Sequence, residues 1–255
     1  MPQPFSLFIS DIHLQPNPNH PINQAFRQFL AQEAVQAEHL YILGDLFEMW
    51  VGDDVGLQTY ATEIQAIRQL VDKGVPVSIL YGNRDFLMRN AFWIATGATH
   101  LKQPRCIKVA DKEVIVLHGD SLCTDDKDYQ RMRLLLRNPV VTWLFLRLPA
   151  KKRIEIGEKM RANSQKYSLN KAENIMDVSD EAVKKLFLKY PHAEHMIHGH
   201  THRPAHHTYQ IGEKTKHRWV LGDWRPETHY LKVAENQAPE LIAWPEPYET
   251  TSLED

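Results

Sequence analysis

Short apolar runs recur along the chain and end in Gly, Asp, Asn or His, with longer stretches of helical periodicity between them. Runs at Phe5 to Ile9, Leu40 to Leu43, Val75 to Leu80, Val114 to Leu117 and His195 to Ile197 have the length of strands. Between the first two, Ile22, Ala25, Phe26, Phe29, Leu30 and Val35 suit one face of a helix, and Ile64, Ile67, Leu70 and Val71 do the same before the third. Strands alternating with such helices predict an α/β fold whose helices cover a sheet. After His118 the rhythm changes. No strand-like run arrives until His195, and the stretch between is rich in Leu, Lys, Arg, Met and Ala. It reads as a helical insertion, interrupted at Asn138-Pro139 and Leu148-Pro149, because a residue before proline avoids the α region. Trp219 to Leu221, Tyr230 to Val233 and Leu241 to Trp244 read as further strands. The expected organisation is a core of residues 1–120 and 195–244, an insertion of residues 121–194, and a proline-bearing acidic tail, 245–255, that frays.

Composition narrows the partners. Formal net charge is -2, so the molecule as a whole lacks the basic excess that accumulates around a nucleic-acid backbone, and no nucleic-acid partner is expected. Cys106 and Cys123 form neither a CxxC pair nor a disulfide framework, which fits a reducing compartment, the cytoplasm by default. The chain enters its first strand without a charged segment and apolar run, so no cleavable signal is expected. The apolar stretch Val140 to Leu148 is far short of the ~20 residues of a spanning helix.

Five strand-like runs deliver polar residues at their C-terminal ends: Asp11-Ile12-His13, Gly44-Asp45, Gly82-Asn83-Arg84-Asp85, His118-Gly119-Asp120 and Gly199-His200-Thr201-His202. Ligands of α/β sheets bind in the crevice beyond the strand carboxyl ends, so these residues are expected to converge. Asp11 and His13 sit two apart on an extended segment and can grip one ion together, and His200 and His202 repeat that spacing. Carboxylate, imidazole and amide donors suit Mn, Fe or Zn better than an all-oxygen calcium site. The donors exceed what one ion uses, and Asp45, on the middle of three converging loops, can bridge two ions ~3.5–4 Å apart. Such a pair activates water and stabilises attacking and leaving oxygens. Singly, the first four motifs are more often turn chemistry or a satisfied histidine, while Gly-His-Thr-His is more specific because alternating histidines have few structural uses; together and in this order they point to a phosphoester hydrolase.

In that order the motifs resemble those of the calcineurin-like metallophosphoesterases, D-x-H, G-D, G-N-H-[DE], H and G-H-x-H, with Arg84 in place of the third motif's histidine. The strings GDLFEMWVGDD, HGDSLCTDD and HGHTHRP, with GNRD, resemble the branch that cleaves the pyrophosphate bond of UDP-2,3-diacylglucosamine in lipid A biosynthesis, over Phe5 to about Trp244. The resemblance implies a four-layer αββα sandwich and two Mn2+ ions held by Asp11, His13, Asp45, Asn83, His118, His200 and His202. It implies catalytic roles for Asp45, Asn83 and Arg84, and substrate contacts at Asn83, Arg84, Asp126, Ser164, Lys171 and His200. A further asparagine of that branch falls on Ser168, with Asn163 and Asn170 as alternatives. The partners implied are a glycolipid nucleotide and the cytoplasmic face of the inner membrane, to which the protein would bind peripherally. The products would be UMP and 2,3-diacylglucosamine 1-phosphate, with water attacking the uridine-side phosphorus.

The residues themselves support part of this. Arg84 has a planar fork suited to two phosphate oxygens. Val140, Val141, Trp143, Leu144, Phe145, Leu146 and Leu148 form an apolar patch followed by Lys151, Lys152 and Arg153, which on sequence alone reads first as a core-facing helix with a solvated basic end and which the resemblance turns into a site for acyl chains beside anionic headgroups. Ser164, Ser168, Asn170 and Lys171 fall at roughly helical spacing. Glu48, Asp53 and Asp54 follow the second motif and read as partners orienting the ligands, with surface loop carboxylates the simpler account of Asp53 and Asp54. The competing expectations are a dimetal phosphodiesterase acting on another nucleotide or nucleic acid, and a binding module that kept the fold without catalysis.

Overall fold

In the computed structural model, which describes residues 3–169, 177–225 and 228–245, the first apolar run forms β1 (Phe5–Ile9), buried from Ser6 onward. Burial on both faces is what a continuous apolar strand requires. It lies between β2 (His39–Ile42), which it pairs in parallel, and β10 (Thr228–Ala234), which it pairs antiparallel. With β3 (Val77–Ile79), β4 (Thr99–His100) and β11 (Glu240–Trp244) they make a six-stranded sheet of order β11-β10-β1-β2-β3-β4. A second sheet has the order β5-β6-β7-β9-β8, from β5 (Arg105–Val109), β6 (Lys112–Val116), β7 (His195–His198), β8 (Ala205–Ile211) and β9 (Lys214–Val220).

Three apolar clusters define four layers. Phe8, Leu43, Leu80 and Leu231 from the first sheet meet Val116, Ile197 and Trp219 from the second in the space between the sheets. The other face of the first sheet packs on α1 (Pro21–Gln32), α3 (Ala61–Asp72) and α4 (Asn90–Thr96) through Phe26, Phe29, Ile64, Ile67 and Phe92. The helix Asp180–Lys189 covers the second sheet through Val183 and Phe187. The fold is a four-layer α/β sandwich.

Between β6 and the helix Asp180–Lys189, the described residues form α5 (Lys127–Leu136), α6 (Pro139–Leu146) and α7 (Ala150–Leu169). Both Pro steps fall between helices. Asn138 caps α6, accepting from the backbone N–H of Val140 at 2.9 Å, with Pro139 at the first helical position. No described helix is long and apolar enough to cross a membrane. Three expectations change. Val35 lies not in α1 but in the 3-10 turn Ala34–Gln36. Asp53 and Asp54 open α2 (Asp53–Thr59); Asp53 accepts from the N–H groups of Arg89 and Phe92 at the start of α4, at 2.9 and 3.1 Å. Arg153 is buried, bonding Asp54 and the carbonyl of Leu148, so it pins α7 to the core and leaves the exposed basic flank to Lys151 and Lys152. Of the tail, residues 246–255 lie outside the described residues.

Candidate metal centre

Because β1, β2 and β3 run parallel, as do β6 and β7, their C-terminal loops gather at one end of the sandwich. Backbone bonds knit them: Asp11 N–H donates to Gly44 O at 3.1 Å, His13 N–H to Asp45 O at 3.0 Å, and Gly199 N–H to His118 O at 2.8 Å. Carboxylates complete the weave. Asp11 Oδ2 accepts from His200 N–H at 2.8 Å, tying the two sheets together, and Asp45 Oδ1 accepts from Arg84 N–H at 2.8 Å. Asp85 holds the third loop by accepting from the N–H groups of Gly82 and Leu46.

The loops are strained where the ligands are expected. Asp11, His13, Asp45, His200 and His202 all have φ between 50° and 72°, a left-handed conformation that costs a non-glycine residue about 1–3 kcal/mol. Gly44 shows how tightly the loops meet: at φ 94°, a Cβ there would stand 2.6 Å from Gly82 N and 2.8 Å from His118 Nδ1.

The donors form two adjoining groups. Ligand atoms of Asp11, His13 and His202 lie within 4.8 Å of one another, as do those of Asp11, Asp45 and His118. Asp11 belongs to both groups, and Asp45, in the second, also approaches the first, with Oδ2 4.0 Å from His13 Nε2 and Oδ1 3.8 Å from His118 Nε2. His118 Nδ1 lies 2.9 Å from Leu43 O, which can only accept, so this nitrogen carries the proton and Nε2 faces the site. There Nε2 meets Asn83 Oδ1 at 3.1 Å, an opposition of acceptors that a shared proton or cation resolves. The His200 ring lies 5.0 Å from that of His118. Buried Asp11 Oδ1 and both nitrogens of His13 make no well-formed hydrogen bond; the nearest charged groups are His202 Nε2, 3.3 Å from Asp11 Oδ1, and Glu48, 3.4 Å from His13 Nδ1. Buried, mixed O/N donors so poorly satisfied fit divalent metal ions of the transition series.

The electrostatics agree. Burial raises the Asp11 carboxyl, but His202, His118 and His13 outweigh it and hold it far below the usual carboxylate range. Burial lowers His202, yet Asp11 and Asp223 push it up to about 10, so at neutral pH it carries a proton between two carboxylates. That proton occupies the place of positive charge that a cation would take over. Burial and then His118 lower His200 to about 4, leaving it neutral and ligand-ready.

Around the donors stand residues that sequence reading did and did not find. Glu48, buried, lies 3.4 Å from His13 Nδ1, 3.7 Å from Arg84 Nη1 and 3.0 Å from Arg161 Nε. Asp223 Oδ2 lies 3.4 Å from His202 Nδ1. Neither Arg161 nor Asp223 belongs to a motif. A cavity of about 450 Å³ opens beside Asn83 and Arg84, with Val51, Phe86, Leu87, Val141, Phe145 and Ile156 among its walls and Arg161, Asn163 and Ser164 on α7. Asp126 is buried and caps α5, accepting from Tyr129 N–H at 3.0 Å. Ser168 lies in α7 with its side chain outside the description; Asn170 and Lys171 lie outside the described residues altogether.

Residues 6–204 match the family of calcineurin-like phosphoesterases. Over 240 residues, 94% of this chain and 99% of the relative, the sequence is 42% identical to a UDP-2,3-diacylglucosamine hydrolase of Yersinia enterocolitica. A protein of the same name from Yersinia pseudotuberculosis matches to the same extent. Among solved structures, a dimetal phosphatase from Danio rerio aligns with a TM-score of 0.54 at 12% identity, covering 95% of this chain and 96% of that one, a likeness of fold.

Proposed function

The chain belongs to the calcineurin-like phosphoesterase family, and on that premise we propose that it hydrolyses the pyrophosphate bond of UDP-2,3-diacylglucosamine, releasing UMP and 2,3-diacylglucosamine 1-phosphate for lipid A biosynthesis. The observation that carries this reading is the cavity: phosphate-binding chemistry at Asn83 and Arg84 opens directly into apolar walls that fit acyl chains.

In this reading Asp11, His13, Asp45, Asn83, His118, His200 and His202 would hold two manganese ions, and Asp45 would serve both. When bound, such ions supply a water nucleophile at neutral pH and neutralise charge on the attacked phosphate. Arg84, its backbone fixed by Asp45 and its side chain steered by Glu48, grips phosphate oxygens through its two-pronged guanidinium. Asn83 and His200 would serve both metal and substrate, and Asp126, Ser164, Ser168 and Lys171 would contact the sugar nucleotide. Water adds at the uridine-side phosphorus, and the bridging oxygen leaves with the acylated sugar phosphate.

The protein works at the cytoplasmic face of the inner membrane without spanning it, and takes no nucleic acid. Exposed Leu134, Leu135, Val140, Trp143 and Leu144 on α5 and α6, with Arg147, Lys151 and Lys152 beside them, support lipid contact. Each cation adds about 1 kcal/mol near an anionic surface.

The test is hydrolysis by purified protein supplied with manganese, read as UMP from UDP-2,3-diacylglucosamine, 4-nitrophenol from bis(4-nitrophenyl) phosphate and released nucleotides from single-stranded RNA. Turnover strongly favouring the acylated nucleotide, abolished by chelation and restored by manganese, is expected. Equal or faster cleavage of the soluble diester or of RNA would replace this reading with a general phosphodiesterase.

A further inference from the structure

Helix α5 walls the cavity, yet none of its residues is fully buried. Polar contacts hold it. Gln130 Nε2 donates to the carbonyls of Asp120 and Cys123 at 2.7 and 3.0 Å. Arg133 Nε donates to Asp120 Oδ2 at 2.6 Å. Arg137 Nη2 donates to the same oxygen at 2.9 Å and to Gly82 O at 2.8 Å. The spacing of three and then four places all three side chains on one helix face.

Both anchor points adjoin candidate ligands. Asp120 is fully buried two residues after His118, and Gly82 immediately precedes Asn83. The two loops come from different sheets, and Arg137 is bonded to both. We propose that Arg137, with Arg133 as its support, is a positioning residue that locks the α5 wall to the loops of His118 and Asn83, so that the cavity and the phosphate-binding residues keep one alignment. The substrate affected is the one proposed above, and the inference rests on that reading only for its identity. Arginine is suited to the task because both bonds leave one nitrogen, Nη2, whose two hydrogens are held in the plane of a rigid guanidinium, whereas a lysine ammonium on a flexible stem is not held in that geometry.

The test uses full-length, manganese-loaded protein and the variants Arg137→Ala, Arg137→Lys and Arg131→Ala. Arg131 projects from the same helix but pairs only with exposed Asp128 among the described contacts. For each, kcat and KM are measured on the acylated nucleotide and on bis(4-nitrophenyl) phosphate, with bound manganese, Tm and hydrogen exchange over residues 80–86 and 120–137. A misaligned site loses on the order of 10²-fold in rate. Arg137→Ala is therefore expected to lose kcat by that order on the acylated nucleotide, with manganese content and Tm near the parent and faster exchange in both segments. Arg137→Lys should recover only part of kcat, and Arg131→Ala should match the parent. Should Arg137→Ala fail to fold, Arg137→Gln, which keeps a donor, is judged by the same measurements. An unchanged kcat, a loss that merely tracks Tm or manganese content, or faster exchange confined to 120–137 would overturn the proposal. If the parent cleaves the diester but not the acylated nucleotide, the substrate reading fails by itself, and the exchange data with diester kcat still decide the role of Arg137.

Discussion

The sandwich and the helices beside it are held by different forces. In the sandwich, Phe8, Phe26, Phe29, Ile67, Phe92 and Ile197 are wholly buried, and close packing fixes the strand ends that carry the candidate ligands. Across α5 and α6, only Thr142 is buried, while Trp143 and Leu144 are more than half exposed. Those helices are tied down at a few points, through Arg133 and Arg137 on α5 and through Phe145 and Leu146 against the core. The contrast divides the labour: a rigid frame sets the geometry of charged groups, and a loosely packed apolar wall can adapt to flexible chains.

Substitutions can break that contrast, the frame being the more sensitive. Asp45→Ala removes a carboxylate that reaches a histidine of each donor group and is expected to lower hydrolysis by more than the ~10–100-fold typical of losing an outer partner of a ligand. Manganese content by elemental analysis should fall as well; activity near the parent would remove Asp45 from between the ions. Arg84→Ala forfeits charge-assisted bonds worth about 1.5–3 kcal/mol, hence roughly 10–100-fold in kcat/KM. Here manganese content should hold, and coincident loss of metal would recast Arg84 as structural.

On the wall, effects should be smaller and selective. Phe145 lines the cavity and Trp143 faces outward. Phe145→Ser should raise KM for the diacylated substrate more than for a short-chain analogue, by up to the ~1.5–3 kcal/mol of a buried apolar side chain. Trp143→Ser should instead weaken sedimentation with anionic vesicles and spare KM for a short-chain substrate in solution. Identical behaviour of the two variants would merge the faces that the structure separates.

The smallest effect concerns the frame alone. Burial and then His217 hold His195 near pH 4, below the roughly 6.5 of an unfolded histidine. Below about pH 6.5 the unfolded chain takes up a proton that the folded one refuses, so stability falls until about pH 4 and then levels off. His195→Gln should therefore lose less Tm than the parent between about pH 7 and pH 5; parallel losses would assign the acid sensitivity elsewhere.

Strands covered on both faces were legible because their apolar runs are continuous. β8 was not: on this edge strand only Tyr209 is buried, and its sequence looks like a polar loop. The motif residues were legible because each follows directly from such a strand. Arg161, Asp223 and the pair Arg133 and Arg137 were not, since an arginine on a helix or an aspartate in a loop has the same appearance whether solvated or docked. What distinguishes them is which loop their helix or strand end lies against, and that depends on packing far away in sequence. Glu48 was the intermediate case, suggested by its nearness to Asp45 and given its partners only by the fold.

The left-handed backbone at Asp11, His13, Asp45, His200 and His202 has an evolutionary corollary. Glycine would relax each of these positions while abolishing the donor, so folding and chemistry pull the same five codons in opposite directions. Random mutagenesis selected for heat resistance alone should therefore erode this end of the sandwich first, and a library selected for turnover should keep it at the expense of melting temperature.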